Sequence, residues 1–279
     1  MKTGLVLEGG GMRGIYTAGI LDVFGENGIH FDGVIGVSAG AIHGCSYLSG
    51  QFGRSIRYYK KYCGDPRFMS WKSFLKTGDF VGVDFCYHEL PEKLDVYDNE
   101  AFKRCGVPFY VVCTNVETGK AEYIPMTDMH AQIAYLQASA SLPYFSRIVE
   151  VEGKKLLDGG CSDSIPVEAF QRMGYRKNVV ILTRPPEYRK KEEMRTLPGI
   201  FYRKYPEFTQ ALRSRHIRYN ETLSRISMLE RQGSIFVIRP QDDLNIGRLE
   251  NDPDKIQEIY DLGRADALEA LEKLKNWMA

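Results

Sequence analysis

The sequence lacks C-x-x-C spacing, any apolar stretch of membrane-spanning length, and any appreciable net charge. Each shortage removes a class of protein. Six cysteines (Cys45, Cys63, Cys86, Cys105, Cys113 and Cys161) lie scattered through 279 residues. That pattern suits isolated core thiols in a reducing compartment better than a disulfide framework or a zinc site. The early apolar run Gly4-Leu5-Val6-Leu7 is broken at once by Glu8 and three glycines, so it is too short for the core of a secretion signal. Nothing downstream approaches the ~20 apolar residues that a spanning helix needs. Lys and Arg number 37 against 36 Asp and Glu, a formal charge of +1, so no global field recruits nucleic acid. Internal repeats and low-complexity tracts are missing too. With 43% hydrophobic and 26% charged residues, the chain has enough apolar material for a large core, which excludes a disordered or collagen-like protein. The expectation is a cytoplasmic protein, able to touch a membrane from that side, with one large α/β domain or two small ones.

What is present is concentrated in the first fifty residues. Thr3 to Leu7 reads as a strand buried on both faces, Gly9 to Gly14 as a turn, and Ile15, Ala18, Ile20, Leu21 and Phe24 as a helix. Gly33 to Val37 reads as a second buried strand, followed at Ser38 by a helix of small residues running toward Leu48. This β-turn-α-β-turn-α order opens a wound sheet. From Phe52 to Tyr97 aromatic and helical stretches alternate, which predicts an inserted helical or lid region over the sheet's C-terminal edge. Further strands are expected at Pro108–Thr114 and Ala121–Ile124, joined by a turn at Glu117 to Lys120. A helix is expected at Ala131–Ala140. A hairpin from Ile148 to Leu157 then leads to Asp158, and a strand at Asn178–Thr183 closes the main sheet. Ser234 to Ile238 reads as a late strand and Lys255 to Met278 as a terminal amphipathic helix.

Three clusters are able to carry chemistry. Gly36-Val37-Ser38-Ala39-Gly40 puts a serine on a sharp strand-to-helix turn, its hydroxyl exposed above the sheet beside the positive end of the next helix. Taken alone, the same residues also suit an ordinary serine N-cap. Gly9-Gly10-Gly11-Met12-Arg13-Gly14 matches a dinucleotide fingerprint, but the acid that would hold the ribose is missing, since the second strand ends in Ser38 and Asp32 precedes it. The loop's free N–H groups suit another anion, the oxyanion formed when Ser38 attacks an ester carbonyl, with Arg13 as a fixed positive charge or a partner of a surface acid. A serine nucleophile needs a base. His30 precedes the second strand, His43 sits inside the helix after Ser38, and His88, His130 and His216 lie in segments with no strand delivering them to that edge. Asp158, trailed by Gly159-Gly160, is the better placed acceptor, although a lone D-G-G is also a plain turn.

The ordered trio of Gly9 to Gly14, Gly36 to Gly40 and Asp158-Gly159-Gly160, with Ala138-Ser139-Ala140-Ser141-Leu142-Pro143 between, resembles the patatin-like phospholipase family across residues 3 to 185. The resemblance implies a mostly parallel central sheet flanked by helices in three layers, with a helical C-terminal extension. It implies a lipid acyl hydrolase with Ser38 as nucleophile and Asp158 as general base, the glycine loop as oxyanion hole, and no metal or organic cofactor. Residues 1–185 would form the catalytic core and 186–279 an extension packed on it. The substrate would be a phospholipid or another acyl-ester lipid. Two competing readings are an esterase or thioesterase of the α/β-hydrolase type with a histidine base, and a lipid-binding protein that keeps the fold without turnover. Beyond Arg184 the sequence turns basic. Arg184, Arg189, Lys190, Lys191, Arg195, Arg203, Lys204, Arg213, Arg215 and Arg218 face only Glu187, Glu192, Glu193 and Glu207, with Phe201, Tyr202, Tyr205 and Phe208 interleaved. Such a stretch suits either a peripheral contact with anionic lipid through 184–218 or a solvated helical face, and no nucleic-acid module is recognised in it.

Overall fold

Short runs of branched apolar residues, buried on both faces, form the centre of the fold. The computed structural model describes residues 1–192, 196–247 and 250–279; Glu193 and Arg195 of the basic stretch lie outside them. In chain order, β1 (Thr3–Leu7), α1 (Gly14–Glu26), β2 (Gly33–Val37) and α2 (Ala39–Leu48) make the expected opening. Next come α3 (Arg54–Tyr62), α4 (Trp71–Thr77), a π-helical segment Phe85–Leu94 and α5 (Asn99–Cys105). Ser70 and Asp98 cap α4 and α5 by accepting from the Ser73 and Ala101 amides, and Gly78 and Gly106 end these helices in the left-handed conformation. Then follow β3 (Phe109–Asn115), β4 (Ala121–Met126), α6 (Ile133–Ser139), β5 (Val149–Val151), β6 (Lys154–Asp158), α7 (Val167–Arg172) and β7 (Lys177–Ile181). The chain ends with α8 (Leu197–Phe201), α9 (Pro206–Arg231), β8 (Ile235–Ile238) and α10 (Pro253–Met278).

The eight strands make one mixed sheet. Strands β3, β2, β1, β7 and β8 run parallel in that order, while β4, β6 and β5 are antiparallel additions at the β3 side. The expected closing strand near Asn178 is therefore interior. The edge is β8, which pairs Ile235–Ile238 with Asn178–Ile181. Alternation along β1 and β7 sends Leu5, Leu7, Val179 and Ile181 to a core shared with α1, α2 and α10. Val6, Val180 and Ile35 go to a second core closed by α7 and by Tyr219, Leu223 and Ile226 of α9. Helices thus cover both faces, as a parallel sheet requires.

The C-terminal helix packs on α1 almost backbone to backbone. A methyl group on Gly19 would lie 2.2 Å from the Tyr260 carbonyl oxygen, and one on Gly263 would lie 2.1 Å from that of Tyr16. Tyr16 donates to Asp266 at 2.6 Å and Tyr260 to Asp22 at 2.7 Å, locking the same crossing from both sides. Gly263→Ala is accordingly expected to cost about 1–3 kcal/mol, the usual size of an overpacking penalty. Thermal denaturation reads this as a lowered midpoint; an unchanged midpoint would mean that the two helices part at no cost.

Candidate active site

One strand brings two distant segments together. Along a single edge of β3, residues Phe109–Val112 pair with parallel β2, and Cys113–Asn115 pair with antiparallel β6. The opposite edge is filled from Phe109 to Thr114 by β4. Strands β2 and β6 therefore run toward each other along one line. Val37 sits opposite Val112 and Asp158 opposite Cys113, consecutive positions of β3. Ser38 and Asp158, 120 positions apart in the chain, are the residues at which the two strands meet.

Ser38 leaves β2 at φ 53 and ψ −123, a left-handed φ that serine rarely adopts and that costs about 1–3 kcal/mol unless the surroundings impose it. The surroundings do impose it. Gly36 lies against the start of α2, and a methyl on Gly40 would come within 2.7 Å of the Leu7 and Glu8 carbonyl oxygens. The Ser38 amide donates to Ser139 Oγ at 2.8 Å, and Ser139 Oγ donates to the Val112 carbonyl at 2.7 Å. The reading of Ser38 as a side-chain N-cap is not what the structure holds, because its hydroxyl makes no capping bond to α2.

Asp158 is buried, its Oδ1 accepts from the Gly160 amide at 2.7 Å, and Gly159 lies against the Val112 carbonyl. Its own amide donates to the Ser141 carbonyl at 2.9 Å. Burial pushes the Asp158 carboxyl group above the ordinary aspartate range, while the Arg215 charge, the Gly160 N–H and the Ser38 hydroxyl, which is within hydrogen-bonding reach, pull it part of the way back. The glycine loop arrives from the end of β1. Gly9 donates to the Ser164 carbonyl at 3.4 Å, Gly11 opens a single 3-10 turn through Arg13 at φ +57, and α1 starts at Gly14. The amide protons of Gly10 and Gly11 have no acceptor among the described residues. Met12 is buried, and both Met12 and Arg13 border the same space as Ser38.

That space is a cavity of about 540 Å³ lined by Ser38, Asp158 and Gly9 to Arg13. The stretch expected as an inserted region supplies much of its apolar wall through Tyr58, Phe68, Trp71, Phe80 and Tyr87, completed by Leu142 and Phe145. Of the histidines, His88, His130 and His216 line the cavity, but none hydrogen-bonds Ser38 among the described residues. His43 is fully buried, hydrogen-bonds Ser55 through Nδ1 at 2.9 Å, and is held neutral by burial, its pKa pushed down to about 3. His30 is exposed ahead of β2. No group of three His, Cys, Asp or Glu side chains among the described residues is placed to hold a metal ion.

Several residues that shape the site carry no role in the sequence reading. Ser139 and Ser141 are two apart in the Ala-Ser-Ala-Ser segment, and one steadies the Ser38 amide while the other steadies Asp158. Arg215 donates from Nε to the Gly160 carbonyl at 2.5 Å, and Arg218 reaches the Cys161 carbonyl at 2.9 Å and that of Ser162 at 3.3 Å. The basic stretch is thus not simply a solvated face. Arg215 and Arg218 of α9 turn inward onto the loop after Asp158 while Arg213 stays exposed, Phe208 and Tyr202 are buried, and Phe201 remains 62% exposed.

Comparison with known proteins adds a lineage. A model described as patatin-like phospholipase matches residues 5–170, and one described as a domain of unknown function, DUF6363, matches residues 205–279. An uncharacterized Escherichia coli protein, YjjU, is 31% identical over 188 residues, covering 66% of this chain and 52% of that protein. Lysophospholipase NTE1 of Chaetomium globosum is 32% identical over 176 residues, covering 62% of this chain and 11% of the fungal protein. The chain therefore spans about half the length of the first relative and about a tenth of the second. Among solved structures, VipD from Legionella pneumophila aligns over 98% of this chain and 67% of its own, at a TM-score of 0.47 and 13% identity. No helix among the described residues is long and apolar enough to cross a membrane. With more than half of its residues under the first of the two family matches, the chain belongs to the patatin-like phospholipases.

Proposed function

We propose that the chain hydrolyses lipid acyl esters through a Ser38–Asp158 dyad. The observation that carries this reading is the meeting of a strained serine and a buried carboxylate in one cavity, beside two backbone amides without acceptors among the described residues. In the first half-reaction Ser38 Oγ attacks the ester carbonyl carbon and its proton passes to the Asp158 carboxylate. The carbonyl oxygen becomes an oxyanion that accepts from the Gly10 and Gly11 amides, with the Arg13 charge nearby. Collapse breaks the ester bond, the leaving alkoxide takes the proton back from Asp158, and an acyl-Ser38 remains. Water then attacks this ester, again losing its proton to Asp158, and fatty acid leaves with Ser38 restored. The apolar wall suits the acyl chain. The substrate class is phospholipid, lysophospholipid or a related acyl ester, in keeping with the name of the fungal relative, a lysophospholipase.

Access from a lipid surface fits the rim of the cavity. Trp71 (55% exposed) packs near Phe145, the neighbouring Tyr144 packs on Phe201, and Ile200 projects beside it at 69% exposure. Basic residues of the 184–218 stretch, Arg203 and Lys204 among them, follow directly, so peripheral contact with an anionic membrane belongs to this proposal.

The dyad is separated from a histidine-based mechanism by replacing the three histidines that line the cavity, His88→Asn, His130→Asn and His216→Asn together. Ester hydrolysis is expected to stay within about threefold of the parent, since a lost general base normally costs ~10²–10⁴-fold. A fall into that range in a folded triple variant would transfer the base role to a histidine.

A further inference from the structure

One side of the cavity holds two arginines, of which the mechanism above draws only on the charge of Arg13. Arg13 ends the 3-10 turn after β1, and Arg184 follows β7 by three residues. Strands β1 and β7 are adjacent and in register, Leu7 opposite Ile181, so both arginines rise from neighbouring strand ends into the same cavity. The Nε of each is buried without a hydrogen-bond acceptor among the described residues. Arg184 keeps an ion pair to Asp243 through its Nη1, which occupies one arm of the guanidinium and leaves Nε unmatched. Glu8, the carboxylate nearest to Arg13 in sequence, is already committed. Its Oε2 accepts from the Thr183 amide at 2.6 Å and hydroxyl at 3.1 Å, and its Oε1 accepts from Tyr219 at 2.5 Å. Burial first, and then the like charge of Arg184, depress the Arg13 pKa, with the Glu8 charge opposing them, so the two cations repel each other in a partly dry space. Lys191 and Arg215 line the cavity as well and raise its positive potential.

Two like-charged guanidinium groups in one cavity, each with an Nε that has no acceptor among the described residues, are matched by a tetrahedral oxyanion, whose oxygens accept in the fork geometry that arginine offers. The aromatic wall formed by Trp71, Phe80 and Phe145 belongs to the same cavity. A ligand with an apolar chain, an ester and a phosphate would therefore meet chemistry suited to each part. We infer that Arg13 and Arg184 form a phosphate subsite, separate from the amide donors of the glycine loop, that selects esters carrying a phosphate on the alcohol side. The inference rests on the acyl-hydrolase reading for what the bound molecule is, but the subsite itself is a matter of binding and is tested without turnover.

The test uses full-length protein carrying Ser38→Ala, titrated calorimetrically with three probes. These are inorganic phosphate, an ether-linked lysophospholipid that cannot be hydrolysed, and a neutral monoalkylglycerol of the same chain length. The phospho-lipid is expected to bind at least about tenfold more tightly than the neutral one, the size of one charge-assisted hydrogen bond or more. Adding Arg184→Gln should erase that preference, and Arg184→Lys should restore part of it. Competition by inorganic phosphate would show that the subsite also takes the free ion; absence of competition would assign it to the lipid headgroup, and either result supports the subsite. Equal affinity for the two lipids, or a preference untouched by Arg184→Gln in protein with unchanged circular dichroism, overturns it. Because none of these readings requires an active Ser38, failure of the subsite and failure of the hydrolase mechanism are told apart.

Discussion

Ser38→Ala is expected to remove ester hydrolysis by a factor on the order of 10⁴ or more, and to abolish covalent capture by a fluorophosphonate that labels the parent protein. Alanine is the informative replacement here. It keeps a Cβ at φ 53, so the strained turn, the hydrogen bond from its N–H to Ser139 Oγ and the packing of Gly40 on the end of β1 are all retained while the hydroxyl alone is lost. Mass mapping of the labelled peptide should place the adduct on the segment that carries Ser38. If the folded parent does not label, or if the variant labels and turns over like the parent, the chain is a lipid-binding member of its family that has kept the fold without the chemistry.

Asp158→Asn should lower turnover by ~10²–10⁴-fold, the range for a lost general base, with little change in thermal midpoint. The amide has nearly the shape of the carboxyl group and still accepts from Gly160, but it has no basic oxygen for the Ser38 proton. The pH profile gives a second reading. In the proposed mechanism Asp158 works as the carboxylate, and its pKa is raised in the folded protein chiefly by burial. Activity is therefore expected to be lost as pH falls through that raised value, which lies above the usual ~3.9 for aspartate, and to reach a plateau on the alkaline side. The Asn variant should show residual activity without this limb. Parent-like rates in the variant would eliminate Asp158 as the base.

The parts of this arrangement that were legible in the sequence are those set by neighbours in the chain. A strand, a serine flanked by glycines and a small-residue helix make a sharp turn wherever they occur, and the buried run of β1 followed by three glycines is local in the same way. The late strand was legible as a strand, but not its place. Beside a 26-residue helix, Ser-Ile-Phe-Val-Ile carries no mark that it pairs with β7 rather than closing a separate unit. Arg215 and Arg218, three apart on α9, share a helix face by simple periodicity, yet a mixed charge run reads as solvated until the carbonyls of Gly160, Cys161 and Ser162 are found opposite. The alternation of Ser139 and Ser141 was visible without a meaning, because one serves a residue 101 positions upstream and the other a residue 17 positions downstream. The Arg13–Arg184 pair was hidden for the same reason, since its two members follow strands that are joined only by the sheet.

The shared edge of β3 has one more consequence. Val112 and Cys113 act as adjacent marks on a ruler whose graduation is the strand repeat, about 3.3 Å per residue. The spacing between the two converging strand ends is inherited from that graduation and not from the length of any loop. Lengthening the exposed hairpin turn at Glu152–Gly153 would leave the marks where they are. A slip of β6 by a single step along β3 would instead carry the carboxyl group to the far side of the sheet.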